Sequence, residues 1–271
     1  MTRHLPGFAA RLGAALLVAF VALPLWIVVV LSLNPVADGG DGLGLWPHRL
    51  SLDNYRLLTS PLYGFYNALS HSMIVSVGTT VVSLLVAIPA AYALGRMDVP
   101  GQARILAALI GLAFFPGIVI ELPLGILFAD HGLLDTLQGM GIAQLSFTVP
   151  LAVWFLAYAF RAVPREVEEA ALMDGAGVVD RIVRVILPMA RAGVAGTTVL
   201  VFVASWNDFV FSGNLNRSRH SETLPVMISK LPDIGFLGGQ MAAAVLISLP
   251  VILVVAVLLR WLAGRGTTSR P

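Results

Sequence analysis

The chain has 271 residues, of which 58% are hydrophobic and only 12% are charged, and its formal net charge is +2. A soluble domain carries about twice that charged fraction, so the composition excludes an ordinary soluble protein and predicts an all-α polytopic membrane protein. The chain contains no cysteine, which excludes disulfides, thiol catalysis and cysteine-ligated metal centres.

Charge-poor windows predict six transmembrane helices, since a spanning helix needs about 20 apolar residues. In chain order these helices lie at about 12–33, 68–94 and 105–128, and within 136–160, 192–211 and 234–259. We interpret residues 1–271 as a single transmembrane domain. A cleaved signal peptide is the alternative for the first stretch, but its apolar run of 22 residues exceeds the usual core of about 7–15.

The placement of basic residues predicts the orientation of these helices. With both termini in the cytoplasm, twelve of the seventeen basic residues fall in inner segments. Residues 129–141 contain no Arg or Lys, as is typical of an outer loop. The orientation places long outer loops at about 34–67 and 212–239, and it places a charged loop at about 162–190 in the cytoplasm.

The first half of this charged loop predicts a short helix from Arg165 to Asp174, because the run is rich in helix formers. Its three glutamates lie near the N-terminal end, where the helix dipole is positive. Val167, Ala170 and Ala171 share one face at i, i+3, i+4 spacing. Such small side chains would let a partner surface approach closely.

Gly175 is expected to end that helix as a C-cap or a sharp bend. A second short helix is expected to place Val178, Ile182 and Val185 on one side, and Pro188 to redirect the chain into the fifth span. The alternative is an amphipathic surface helix resting on lipid headgroups, which favours a large apolar face with basic residues opposite. The first helix is acidic instead, so we expect an aqueous partner.

Two carboxylates, Glu121 and Asp208, fall within predicted spans. Each lies 17 residues beyond an inner arginine, or about 26 Å along a straight helix, so both are predicted in the outer third of the membrane. Intramembrane acids usually face a cavity or a partner. We hypothesise that Glu121, Asn207, Asp208 and Gln240 line the outer end of a pathway for a hydroxyl-rich solute. The alternative is that both acids are simply wetted or packed at the interface.

The chain lacks the residues of an ATPase and of a metal enzyme. A P-loop requires Gly-x-x-x-x-Gly-Lys-Ser/Thr, and the sole lysine, Lys230, lies in a predicted outer loop. The five histidines are dispersed without metal-ligand spacing. We therefore expect a protein that is not an enzyme and binds no metal or cofactor itself.

The charged loop resembles the EAA loop of ABC importer permeases through Glu169-Ala170-Ala171, Gly175 and Val185-Ile186-Leu187-Pro188, although the family form has Ile where Val185 stands. Tyr92 to Arg96 resembles the end of the family's second helix, and Phe115-Pro116-Gly117 resembles a break in its third. Three further segments match the carbohydrate subfamily, namely Ala204 to Phe209, Thr223-Leu224-Pro225 and Ala242–Pro250. The resemblance covers about residues 10 to 263. It is strongest to the second six-helix permease of a maltose-type importer.

The resemblance implies a type I ABC importer transmembrane domain, whose charged loop docks on a cytoplasmic ATPase and passes on its movement. It implies a heterodimer with a second permease, a dimer of ATP-binding subunits that hold ATP and Mg, and an extracytoplasmic solute-binding protein meeting loop 212–239. It implies the bilayer of a bacterial inner membrane and no nucleic acid partner. The coupling residues that it implies are Arg165, Glu166, Glu169, Ala170, Ala171, Asp174, Gly175, Leu187 and Pro188.

Other classes of membrane protein stay open at this point. An ABC permease for a non-sugar solute, such as a polyamine or a glycerol phosphodiester, fits the same loop. A stand-alone secondary transporter predicts an inverted repeat and coupling acids near the midplane, and neither stands out. A membrane-embedded lipid enzyme needs a His/Asp or metal cluster near one interface, which the sequence does not show.

Overall fold

The computed structural model describes residues 8–35, 46, 49–216, 221–232 and 237–264. Both chain termini and parts of both predicted outer loops, including Arg217 and Arg219, lie outside these residues. The described part is helical and contains no strand, which confirms the all-α class. Its helices are α1 (Phe8–Ser32), α2 (Asp53–Leu58), α3 (Phe65–Arg96), α4 (Gln102–Ala113), α5 (Gly117–Asp130), α6 (Leu137–Arg161), α7 (Arg165–Met173), α8 (Val178–Asp180), α9 (Leu187–Met189), α10 (Arg191–Trp206), α11 (Val210–Asn214), α12 (Leu224–Ser229) and α13 (Leu237–Gly264).

Among the described residues, five helical stretches are long and apolar enough to cross a membrane. They are α1, α3, α6, α13 and the run from α10 through α11. The pair α4 and α5 passes the same test when its two helices are taken together, with a bend of 81° at the break, so the described residues hold up to six spans. Pro116 lies at this break with φ −59° and ψ 113°, outside the helical region, so α4 cannot continue into α5. Six spans were predicted, and the break falls where the family resemblance indicated one.

The described residues within Asn67–Val226 and Val251–Pro271 form one compact unit. Its main apolar core lies between α3 and α6, where Ala91 and Tyr92 meet Leu156 and Phe160. Small residues let these two helices approach closely. A Cβ added at Gly95 would lie only 2.8 Å from a backbone oxygen of α6.

Helix α10 packs against α6 with similarly little space. A Cβ added at Gly193 would lie 2.3 Å from the Cβ of Ala159, whereas one added at Gly196 would meet nothing within 4 Å. One face of α10 is therefore in tight contact with α6, and the other is open.

The described residues within Met1–Tyr66 and Met227–Pro250 form the second compact unit. Within it, α2 is fixed to the end of α1 by side-chain hydrogen bonds. The amide of Asn54 donates to the carbonyl oxygens of Ser32, at 3.1 Å, and Asn34, at 2.7 Å. The hydroxyl of Tyr55 lies 2.7 Å from that of Ser32. This part of the predicted outer loop 34–67 is thus a short anchored helix.

Candidate functional site

The first half of the charged loop is α7, and it ends as a glycine-capped helix. The N–H of Gly175 donates to the carbonyl of Leu172 at 3.0 Å, and the N–H of Ala176 donates to that of Ala171 at 2.9 Å. This pair of bonds is the Schellman motif, which requires a left-handed residue, and Gly175 has φ +82°. The predicted glycine cap is confirmed.

The second half of the charged loop departs from the predicted short helix. Helix α8 continues through a π-helical turn, Arg181–Ile186, into α9, and Pro188 lies within α9. The change of direction comes at Ala190, between α9 and α10. Of the predicted apolar side, Ile182 and Val185 are half-buried but Val178 is exposed, and the fully buried residue is Ile186. A π-helical turn changes the angle between successive side chains, so the α-helical spacing used for the prediction does not apply there.

Helix α7 lies in the charged loop and has no buried residue. Val167 and Ala170 are exposed and Ala171 is half-buried. The side chains beyond them are more exposed still, with Leu172 at 54% and Met173 at 87%. Isolated exposed apolar residues need no explanation, but several on one short helix are typical of an interaction surface. The residues predicted to couple, Arg165, Glu166, Glu169 and Asp174, are exposed on the same helix and its cap.

The attachment of α7 to the rest of its unit is an ionic cluster around Glu168. The Nε of Arg96 donates to Glu168 Oε2 at 2.7 Å, and the hydroxyl of Tyr92 donates to Oε1. The Nη1 of Arg181 lies 3.6 Å from Oε1. The Arg96 side chain is only 3% exposed, and it also donates to the carbonyl of Val163 at 2.6 Å. The charged loop is therefore held by a cation that comes from the end of α3.

The electrostatics of this cluster favour an ionised Glu168. Burial opposes ionisation of the carboxyl group and raises its pKa. Hydrogen bonds from Tyr92 and Arg96, together with the charges of Arg96 and Arg181, outweigh burial and hold the pKa below its ordinary value of 4.5. Glu168 is thus an anion throughout the neutral range.

The proposed pathway residue Asp208 lies between α10 and α11 with its carboxylate turned toward protein groups. Oδ2 accepts from the N–H of Ser212 at 3.1 Å, from its hydroxyl at 2.9 Å, and from the amide of Gln144 at 3.1 Å. Gln144 is 1% exposed and also accepts from Ser205. In the described part of the chain, Asp208 stabilises the start of α11 and joins it to α6.

The other proposed pathway residues have different surroundings. Glu121 accepts from the amide of Asn214 at 2.8 Å, and Asn207 is exposed, with its amide bonded to the carbonyl of Val203. Glu121 follows the 81° bend, so the argument for its depth, which assumed one straight helix, does not hold, and the depth stays a prediction. Gln240 belongs to the other compact unit and donates to the carbonyl of Pro232 at 3.1 Å. The pathway role of these four residues stays a prediction.

Three residues that hold the charged loop or Asp208 in place were not among the site residues predicted from the sequence, namely Arg96, Gln144 and Glu168. Arg96 closes a long window without Lys, Arg, Asp or Glu, which was a usable signal for a cation with a specific position. Gln144 lies in an apolar span, and a polar side chain there usually has a partner. Glu168 carried no separate signal, because its two glutamate neighbours fit the helix dipole equally well.

Comparisons with known proteins agree with this architecture. The family model described as "Binding-protein-dependent transport system inner membrane component" matches residues 17–266. The trehalose transport system permease protein SugB of Mycobacterium tuberculosis is 32% identical over 259 residues, which cover 94% of this chain and 93% of that protein. The trehalose/maltose transport system permease protein MalG of Thermococcus litoralis is 28% identical over 264 residues, which cover 95% of this chain and 94% of that protein.

A solved structure has the same fold. It is the crystal structure of a bacterial ABC transporter involved in the import of the acidic polysaccharide alginate. The TM-score is 0.76 at 22% sequence identity, and the match covers 95% of this chain and 99% of that one. At this identity the likeness is one of fold.

Proposed function

Because this chain belongs to the family of inner membrane components of binding-protein-dependent transport systems, we propose that it is the permease subunit of an ATP-binding-cassette importer for a carbohydrate. The family is one of membrane transport subunits, so the chain is not an enzyme. Such a system has several components, and the chain works together with others. The relatives named for trehalose and maltose support a carbohydrate as the solute.

The proposed assembly follows from the charged loop and the arginine distribution. The charged loop and both termini lie in the cytoplasm of a bacterial cell, and a second permease completes the pathway. A dimer of ATP-binding subunits, which hold ATP and Mg, docks on the charged loop. A solute-binding protein meets the outer loops, in particular 212–239. The absence of a P-loop lysine supports a separate ATP-binding chain.

The observation that carries the proposal is the exposed surface of α7. An acidic helix with Leu172 and Met173 exposed to water lacks the basic face of a lipid-bound helix, and it offers apolar area to a protein. Its Schellman cap and ionic attachment keep it in one position. A push on such a helix is transmitted as a rigid-body movement.

The test compares two methionines in the reconstituted importer. Met173→Asp places a charge on the docking surface of α7, and we expect ATP-driven import and ATPase co-purification both to fall about tenfold or more. Met97→Asp is the matched control, since Met97 is also exposed, at 50%, but lies in the turn between α3 and α4. Import in proteoliposomes and the ATPase content of the purified complex are measured. Equal ATPase content in both variants would contradict docking on α7.

A further inference from the structure

The ionic cluster joins α7 to a helix that the chain itself does not connect to it. Residues 162–164 link α7 to α6, and α8 and α9 link it to α10. Helix α3 ends at Arg96, 68 residues before Pro164. Arg96 also donates to the carbonyl of Pro164. The bond from Arg96 to Glu168 spans 72 residues of sequence. Among the described residues, this cluster therefore supplies a direct polar contact between α3 and the charged loop.

The guanidinium of Arg96 is bonded in more than one direction, which fixes its position. It donates to Glu168, to the carbonyl of Val163 at 2.6 Å and to that of Phe160, at the C-terminal end of α6, at 3.3 Å. In the opposite direction, Arg161 of α6 donates to the carbonyl of Leu94 in α3 at 3.0 Å. The planar fork of arginine suits this arrangement, and a lysine could not reproduce it.

On the α7 side, Glu168 is the residue that receives these bonds. No residue of α7 is buried, so the helix has little apolar anchoring of its own. Both carboxylate oxygens of Glu168 are occupied, Oε1 by Tyr92 and Oε2 by Arg96. Displacing α7 without α3 would break both bonds and leave a guanidinium that is 3% exposed without its anion, which is unfavourable.

We propose that Arg96 and Glu168 are positioning residues that make the cytoplasmic end of α3 move together with the charged loop. Movement of α7 then reaches three spanning helices, two through the chain and one through the ion pair. This inference rests on the proposed docking of an ATPase on α7. The ion pair contributes to the efficiency with which ATP hydrolysis is converted to import.

The experiment measures solute imported per ATP hydrolysed by the complete importer in proteoliposomes. Glu168→Gln removes the anion while keeping the shape of the side chain, and we expect the ratio to fall about tenfold, in the range of typical coupling between sites. The matched control is Asp180→Asn, which breaks an exposed ion pair of the same loop, Asp180 to Arg184 at 3.2 Å. We expect the control to keep the wild-type ratio.

A variant with a milder change covers the case in which Glu168→Gln does not assemble. Tyr92→Phe removes only the hydroxyl that donates to Glu168, and we expect the ratio to fall about twofold, as for loss of one modest hydrogen bond. A wild-type ratio in every variant that assembles would overturn the inference.

A chemical rescue distinguishes a mechanical tie, meaning a link that makes α3 and α7 move together, from simple stabilisation of the fold. The chain has no cysteine, so Arg96→Cys combined with Glu168→Cys introduces its only thiol pair. A short bis-maleimide that joins the two thiols should raise the ratio toward the wild-type value, whereas the same reagent on either single variant should not. No rescue in the joined double variant would contradict a tie.

Failure of the proposed function has a different signature. If the wild-type complex shows no ATP-dependent import, then the proposed function fails and the tie fails with it. If the wild type imports and Glu168→Gln keeps its ratio, then the tie alone fails.

Discussion

At the scale of single residues, Glu168 differs from its acidic neighbours because its carboxylate has partners. Glu166 and Glu169 are exposed on the same helix, whereas Glu168 accepts hydrogen bonds from Tyr92 and Arg96. Three glutamates that look equivalent along the chain therefore have two kinds of surroundings. Two are exposed to solvent, and one is bonded to the end of α3.

The pKa of Glu168 gives a pH dependence with a definite sign. A carboxyl group whose folded pKa lies below its unfolded value stabilises the fold above the unfolded pKa, and this contribution is lost as the pH falls through the folded pKa. Glu168→Gln should therefore destabilise the protein at neutral pH, by about 3 kcal/mol if it behaves as a buried pair that has lost one partner.

The measurement is the Tm of the purified chain and of the variant as a function of pH. The difference in Tm should stay constant at pH values above 4.5, the ordinary pKa, and shrink below it as the wild-type carboxylate is protonated. A difference that grows toward acidic pH would show that the pKa is raised rather than lowered.

At the scale of elements, the contact between α10 and α6 makes two glycines of one helix behave differently. Gly193→Ala puts a methyl group 2.3 Å from the Cβ of Ala159, so the helices must separate. We expect a loss of about 1–3 kcal/mol, as for other overpacked sites. Gly196→Ala meets nothing within 4 Å and should stabilise α10 by about 0.5–1 kcal/mol through helix propensity.

Thermal unfolding of the two variants in detergent tests this difference. Both substitutions add the same methyl group to the same helix, yet we expect Gly193→Ala to lower the Tm and Gly196→Ala to raise it. Shifts of Tm in the same direction would mean that the close approach of α10 to α6 is not maintained in solution.

The elements also show what the sequence could and could not predict. Long apolar runs identify spanning helices directly, and the C-cap at Gly175 follows from local backbone preference. A break between α4 and α5 was predicted only through the family resemblance, and the argument for the depth of Glu121 does not hold because it assumed a straight helix. The pair of Arg96 and Glu168 joins residues 72 apart, and no local pattern reports such a contact.

At the scale of the whole molecule, the proposed orientation predicts which loops face each side of the membrane. The absence of cysteine allows single thiols to report on it. His131→Cys and Val179→Cys both place a thiol at an exposed position, the first in the predicted outer loop and the second in the charged loop.

We expect a membrane-impermeant maleimide to label position 131 in right-side-out vesicles and position 179 in inside-out vesicles. Expression without the ATP-binding subunit keeps position 179 uncovered. The reverse labelling pattern would invert the orientation and remove the cytoplasmic placement of the charged loop.

The π-helical turn at Arg181–Ile186 allows this segment to lose one residue with little change in the direction of the helices on either side. A π-helical turn holds one residue more than an α-helical turn, so a one-residue deletion can restore the regular α-helix. Loss of the codon for Val183, whose side chain is exposed, would keep every buried contact residue in the chain. The loss of one residue and the return to the larger rotation per residue of an α-helix largely cancel, so α7 and α8 would keep roughly their orientation about the axis relative to α9. The docking surface should therefore still face its partner, whereas the same deletion from a regular α-helix would turn it by about 100°.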